Sequence, residues 1–545
     1  MKNEACTVER FGWGPPVPAG KGGPAARLFA EGRAVVATGG ASCTRTLYDK
    51  AAAMGAEDQF FWCPLSREDY ILGTAGDKLL ETIREALECE NVSGVLIYAS
   101  CLDILSQLDF EAVIRRVDNS RGVPVKVFLR GPLMKRRQKP EALAGLLRGF
   151  PSGQGRFRRK KKGLPPLYPD FAGICGILQD WDLHNFMVTA GGCGGAIPEL
   201  GRQEDYRLSH SRLDDVQIAL GCEGLLTNGI LADAKAEDRE ATALISTTTL
   251  TFLGFDDDAL AEKLTAEGVR SVALPATGFD PGPAGVSEAL LRLGRAFLRP
   301  APKQPDRVNI LGYDPLLLGP PERIAHGIEH LERRGLTCTR LGTGGFKEAE
   351  TAAGAAMNWV VTAEGLALAR DLEKRFGVPY LPGIPVGMRA MLRWRKEVNR
   401  LTRRDDEALE VPVPVEPAEV QPKLLILGEP MLTTGVSAFL RDDLGLTDAR
   451  LCVYDPTGGL EALYREDYPQ LVYFRNADQL RALAETTDGI LGDPLYRGCL
   501  PDFHGAFVPL PDPLVSGGKW WDSLCPIFGK KGGAYLQNAL KEILS

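Results

Sequence analysis

Short apolar runs recur along the chain, each closed by a Gly-rich or polar turn and followed by a stretch with helical spacing. Ala34–Cys43 (AVVATGGASC) runs from an apolar strand into a Gly-rich turn that ends in Cys, and Asn185–Cys193 (NFMVTAGGC) repeats that pattern. Leu65–Gly73 (LSREDYILG) answers Ser211–Gly221 (SRLDDVQIALG). Leu96–Val113 (LIYASCLDILSQLDFEAV) answers Leu244–Glu262 (LISTTTLTFLGFDDDALAE) in a constant register that sets Cys101 opposite Thr249 and Asp109 opposite Asp257. Val123–Leu129 then answers Val269–Leu274. Each copy reads strand, Gly turn, helix, strand, polar turn, helix, strand. That punctuation predicts βαβ units, with parallel strands and helices on both faces of the sheet.

Two further units follow. One opens at Arg307 (RVNILGYDP) and continues through an amphipathic helix near Glu322–Arg334; the other opens at Lys423 (KLLILG). The segment 404–422 (RDDEALEVPVPVEPAEVQP) is Pro- and acid-rich and reads as a spacer. The expected organisation is a first α/β repeat over 1–150, a second over 165–302, a middle domain over 303–403, the spacer, and a C-terminal domain over 423–545. The basic run Arg156–Lys162 (RFRRKKK) falls between the repeats and reads as a solvated linker.

Composition narrows the function classes. The 545 residues, 44 % hydrophobic, with 64 basic against 71 acidic side chains and a net charge of −7, describe a folded protein without the broad cationic field that nucleic acid requires. The first residues lack an apolar targeting core and no long apolar stretch follows, so a cytoplasmic protein that spans no membrane is expected. The chemistry-bearing motifs that fail are equally informative. Gly20-Lys21-Gly22 lacks the spacing of a P-loop, Gly342–Gly345 lacks the dinucleotide pattern, and there is no nucleophile elbow, so no nucleotide site is expected in this chain. His326 and His330, four residues apart among glutamates, read as an exposed helix face rather than a metal pair.

Twelve cysteines remain to be explained, and in a reducing compartment they are buried thiols or metal ligands. Cys43 and Cys101 each end a strand, Cys193 occupies the Cys43 position in the second copy, and Cys175 lies upstream of it in FAGICGIL. The carboxyl ends of neighbouring parallel strands share one crevice, and an iron–sulfur cluster takes thiolates from such Gly-bounded turns, commonly four of them. These four residues are the candidate ligands, with Cys63, beside Trp62, in reserve; each alone also reads as an ordinary buried thiol. The catalytic residues are not identified by any pattern.

The order of these motifs resembles component 1 of nitrogenase and its relatives, which include tetrapyrrole-reducing enzymes. TGGASC and TAGGC are similar to the family's Gly–Cys turn, LSREDYILGTAGDKLLETI to its segment ending in a KLL helix, and LIYASCLDILSQLDFEAV to its strand–Cys element. RVNILG, KLLILGEP and Cys525–Gly533 (CPIFGKKGG) are similar to its two later Rossmann-like domains. The resemblance implies an oxidoreductase component that receives electrons from an ATP-hydrolysing P-loop iron–sulfur reductase, holds a cluster of the [4Fe-4S] type on Cys43, Cys101, Cys193 and Cys175, and pairs with itself or a related subunit. It equally admits a non-catalytic scaffold or carrier for a metallocluster or tetrapyrrole. Thr362 (NWVVTAEG) falls where nitrogenase proper has a metallocluster-anchoring Cys, so dinitrogen is not the expected substrate. Trp520–Trp521 and the basic run are the docking features that sequence offers.

Overall fold

A computed structural model of the chain describes residues 8–10, 27–29, 32–129, 140–153, 155–190, 206–404, 409–523 and 525–541. They fall into two compact units, one drawn from Met1–Phe171, His184–Ile197 and Arg207–Pro281, the other from Ala172–Leu183, Pro198–Tyr206 and Gly282–Ser545. The fold is α/β throughout, with four sheets whose strands run parallel apart from β1 (Val8–Arg10).

In the first unit, β2 (Arg33–Ala37), β3 (Phe60–Trp62), β4 (Gly94–Ala99) and β5 (Val125–Leu129) form a sheet in the order β3-β2-β4-β5. The sequence RAVVA of β2 is buried along its whole length because both faces are covered. Ala34 and Val36 face a core with Phe61, Leu79, Ile83, Val95 and Ile97, whereas Val35 and Ala37 face one with Leu47, Phe60, Leu96 and Phe150. The connections carry α1 (Ala41–Ala53), α2 (Arg67–Leu72), α3 (Ala75–Leu87) and α4 (Cys101–Leu105). Helix α5 (Asp170–Leu178) follows, contributing Asp170 and Phe171 to this unit and its remainder to the other.

A second sheet of the same unit holds β6 (His184–Met187), β7 (Ser209–Ser211), β8 (Ala241–Ile245) and β9 (Arg270–Leu274) in the order β7-β6-β8-β9, with α6 (Asp215–Leu220) and α7 (Thr248–Phe252) among its connections. Its four parallel strands follow the same sequential order as the first sheet. The strand β1 (Val8–Arg10) pairs antiparallel with β7, so these N-terminal residues belong to the second sheet and not to the first. The helix starts also correct the register read from sequence: Cys101 opens α4 and Thr248 opens α7, so Thr248, not Thr249, stands opposite Cys101.

The basic run is not a free linker. Phe157 is buried in the first core, Arg158 exchanges backbone hydrogen bonds with Glu90, and the Arg159 guanidinium lies 4.1 Å from the Phe61 ring centroid while donating to Phe60 O at 2.9 Å.

Besides most of α5, the second unit holds α8 (Gly282–Phe297), then β10 (Gln304–Leu311), α9 (Pro315–Leu318), α10 (Glu322–Glu332), β11 (Thr337–Arg340), β12 (Ala355–Val360) and β13 (Tyr380–Pro382), the strands ordered β11-β10-β12-β13. After the Pro- and acid-rich segment come β14 (Leu424–Leu427), α11 (Pro430–Leu444), β15 (Ala449–Tyr454), α12 (Gly459–Tyr464), β16 (Val472–Phe474), β17 (Gly489–Gly492), α13 (Pro494–Arg497), β18 (Ala506–Pro509) and α14 (Pro513–Ser516), ordered β16-β15-β14-β17-β18. The described part of the spacer is irregular but held, Val415 N–H donating to Asp442 O and Ala418 N–H to Gly445 O. Among the described residues no helix is long and apolar enough to cross a membrane.

Four helices of this unit start alike, with an acid followed by Pro: Asp314-Pro315, Glu429-Pro430, Asp493-Pro494 and Asp512-Pro513. In each the carboxylate accepts a backbone N–H of the first turn, and Pro occupies a position whose own N–H would have been unused.

Helix α2 shows how short elements here are fixed by polar contacts. Asp69 accepts the Ser66 N–H (2.8 Å), the Thr74 hydroxyl (2.7 Å) and the Lys78 ammonium (2.7 Å). Burial opposes its charge, but these donors outweigh burial and hold the carboxyl below its ordinary value. A depressed carboxyl stabilises the fold above its unfolded pKa, and that contribution disappears as pH falls through the folded value. Asp69→Asn is therefore expected to lower stability by about 1 kcal/mol at pH 7, with the gap to the parent closing as pH falls through the folded carboxyl value; urea denaturation at neutral and at acid pH measures it.

Candidate functional site

The carboxyl ends of β2 and β4 are tied together by one buried carboxylate. Asp103, fully buried in α4, accepts the Thr38 hydroxyl (2.6 Å), the Ser100 N–H (2.6 Å) and the Ser100 hydroxyl (2.8 Å) on Oδ2, and the Tyr70 hydroxyl (2.8 Å) on Oδ1. The strand end can come this close because residue 39 is glycine: its φ is +105°, and a Cβ there would meet Ser100 Oγ at 2.6 Å and Cys43 Cβ at 3.4 Å. Gly39 thus stands between the start of α1, which carries Cys43, and the start of α4, which carries Cys101. Cys43 is half-buried and Cys101 buried.

Tyr70 closes this group. Burial first, and then the Asp103 carboxylate, hold its phenol well above the ordinary range, and Cys63 and Cys43 are near enough to push the same way. Its ring packs edge-on against Phe252 and Phe279, with centroids 6.1 and 5.9 Å away. The neighbouring contacts are equally direct. Ser42 Oγ and Thr248 Oγ1 are 3.0 Å apart, and Ser42 N–H donates to Gly278 O at 3.2 Å. Gly278 has a φ of +69°, and a Cβ there would lie 1.7 Å from Thr248 Oγ1, so only glycine fits. The loop carrying it is pinned by Asp170, which accepts the Thr277 N–H (2.5 Å) and Gly278 N–H (3.0 Å).

The other sequence candidates fare differently. Cys193 lies outside the described residues. Cys63 is fully buried after β3, where burial pushes its thiol up to about 12, the environment of an apolar side chain. Cys175 sits within α5 in the second unit; burial likewise pushes its thiol up to about 12, with the Tyr206 hydroxyl against it. Thr362 is buried and its hydroxyl donates to Gly312 O at 2.8 Å, which commits it to the backbone. His326 Nδ1 faces Glu329 at 3.5 Å and the His330 ring lies against Trp394. Trp520 and Trp521 are both half-buried.

Cys43 and Cys101 are soft donors of the kind an iron–sulfur site takes, each in the first turn of a helix that follows a strand. Among the described residues no group of three or more His, Cys, Asp or Glu side chains is arranged to hold a metal ion.

What sequence reasoning missed was Asp103 and Tyr70. The signal was present, since a polar residue three positions after Ser100 at a strand-to-helix turn is a capping pattern.

Residues 184–488, more than half of the chain, match the family model described as nitrogenase component 1 type oxidoreductase. No curated protein matches by sequence. Among solved structures, "Nitrogenase Cp1 at pH 6.5" is 12 % identical with a TM-score of 0.52, over 72 % of this chain and 95 % of that one. "Nitrogenase Cp1 at pH 5" is 15 % identical with a TM-score of 0.50, over 75 % and 97 %. At this identity the likeness concerns the fold.

The Asp103 tie has a measurable consequence. Asp103→Ala leaves buried donors on Thr38, Ser100 and Tyr70 without their acceptor and is expected to cost about 3 kcal/mol. Urea denaturation reads the loss, and maleimide labelling of Cys43 and Cys101 is expected to quicken relative to the parent.

Proposed function

The chain belongs to the nitrogenase component 1 type oxidoreductase family, and on that premise we propose that it accepts electrons from an ATP-dependent P-loop iron–sulfur reductase and reduces a substrate other than dinitrogen. The observation that carries the reading is a pair of matching apolar surfaces in the first unit. Helix α2 exposes Ile71 and Leu72 by 70 % and 74 %, and α6, in the equivalent place of the second sheet, exposes Val216 and Leu220 by 47 % and 83 %. Large apolar side chains exposed to this degree mark interaction surfaces, and two equivalent ones suit a partner that is itself two-fold symmetric.

The exposed end of α2 leads directly inward. Ile71 follows Tyr70, whose hydroxyl donates to Asp103 beneath the surface, in the helix that opens at Cys101. Cys43 and Cys101, together with Cys193, would hold an iron–sulfur cluster of the [4Fe-4S] type, which when bound supplies storage of single electrons. Asp103 fixes the two strand ends that present these thiols. Cys175 is left out of the set because its thiol is enclosed within the second unit. Thr362, committed to Gly312 O, offers no anchor for a second metallocluster, which supports a substrate other than dinitrogen. A cytoplasmic location accords with the oxygen-sensitive chemistry such a cluster carries.

Anaerobically purified protein is expected to contain iron and sulfide and to show a paramagnetic resonance signal on reduction, both lost in Cys43→Ala and Cys101→Ala. Protein that folds without iron, and is unchanged by Cys43→Ala, overturns the ligand assignment. Leu72→Asp and Leu220→Asp are expected to lower the rate of electron uptake from the reductase by about tenfold or more while iron content stays at the parent level. A carrier without turnover would show cluster binding but no substrate-dependent consumption of electrons.

A further inference from the structure

Positive charge is gathered in one stretch of this acidic chain. Residues 121–169 hold fourteen Lys or Arg and a single acid, Glu141, although the whole chain has a net charge of −7. Part of that charge is spent inside the first unit. Arg121 donates to Leu87 O and Cys89 O, Lys126 to Gly149 O, and Arg159 to Phe60 O and the Glu85 carboxylate of α3. Another part is presented outward, on a backbone that is held in place.

The segment that presents it crosses the amino-terminal ends of β2 and β4. The Phe150 ring covers Gly94, the first residue of β4, where a Cβ would meet it at 2.2 Å. Gly153 lies against Gly32, Asn91 Nδ2 donates to Arg156 O at 2.9 Å, and Arg158 exchanges backbone hydrogen bonds with Glu90. Burial then alternates: Phe157 is in the core and Arg159 lies on Phe61, whereas Arg156, Arg158 and Lys160 are exposed. A period of two places these three on one face, neighbours about 7 Å apart. Among the described residues none of the three forms an ion pair. Glu90, opposite Arg158, offsets part of the charge of the row, and Glu85 is taken by Arg159.

We infer that this row docks a protein partner whose surface is acidic. Like charges fixed so close together repel one another, and a facing set of carboxylates relieves that repulsion. The backbone contacts hold the row in its binding arrangement beforehand, which lowers the cost of association. A single strand of nucleic acid stacks its bases on aromatic faces, and a bilayer takes up apolar side chains. Among the described residues of 121–169 no large hydrophobic side chain is exposed, which favours a protein surface over both. The row stands at the amino ends of the strands whose carboxyl ends lead to Cys43 and Cys101, so the contact is separate from the electron-transfer reading and either can fail without the other.

Binding of the purified full chain to labelled poly-glutamate, read by fluorescence anisotropy and compared with oligouridylate and with phosphatidylserine vesicles, tests the inference. Expected are saturable binding of poly-glutamate that weakens with added salt, and zero-length carbodiimide cross-links that map to Lys160. The triple variant Arg156→Glu, Arg158→Glu, Lys160→Glu is expected to bind about tenfold or more weakly. The same charge change at the exposed Lys374, Lys396 and Lys541 of the second unit is expected to leave binding at the parent level. Absence of binding, an equal loss in the second variant, or tighter binding of oligouridylate or of the vesicles overturns the inference.

Discussion

The buried carboxylate of Asp103 is the constraint around which the first unit is arranged. A charge taken out of water survives only when its acceptor sites are filled, and Thr38, Ser100 and Tyr70 fill them from three separate elements. Each of those donors lies within a few residues of a proposed functional position: Thr38 before the Gly39–Cys43 turn, Ser100 before Cys101, Tyr70 before the exposed Ile71 and Leu72. One polar interaction therefore sets the positions of the thiols and of the surface through which a partner would reach them.

The second sheet resolves the same geometry without a charge. There Thr247 takes the place of Ser100 and donates to Val188 O at 3.1 Å, and Leu250, in the place of Asp103, packs into an apolar core. Thr248 replaces Cys101 and meets Ser42 Oγ across the join. The two sides thus share a strand order and differ in chemistry at these positions: Cys101 and Asp103 on one side stand where Thr248 and Leu250 stand on the other.

The second unit uses buried carboxylates differently. Its acid–Pro starts place an acid at the end of strands β10, β14, β17 and β18, each stabilising the first turn of the next helix. The caps at Glu429 and Asp512 line one crevice, with Asp493 behind Asp512 accepting its N–H at 2.8 Å, and burial above all makes their charge hard to sustain. What is good for each helix separately accumulates into an acidic pocket.

The sequence by itself determined the α/β class and the positions of the strands, because an apolar run closed by a Gly turn and the spacing of a helix face are local properties. KLLILG had to be a buried strand, and the KLLETI helix had to bury Leu79, Leu80 and Ile83. The strand-end cysteines were legible for the same reason. Tertiary structure decided what those residues meet: Ser42 against Thr248, Asp170 on the Gly278 loop, Cys175 in a different unit from Cys43, β1 in the second sheet and Arg159 on Phe61. It also moved the counterpart of Cys101 from Thr249 to Thr248, since helix starts are fixed by capping geometry rather than by letter-by-letter alignment. These contacts join residues far apart in the chain, and no local pattern encodes a distance that only the packing of whole sheets and helices sets.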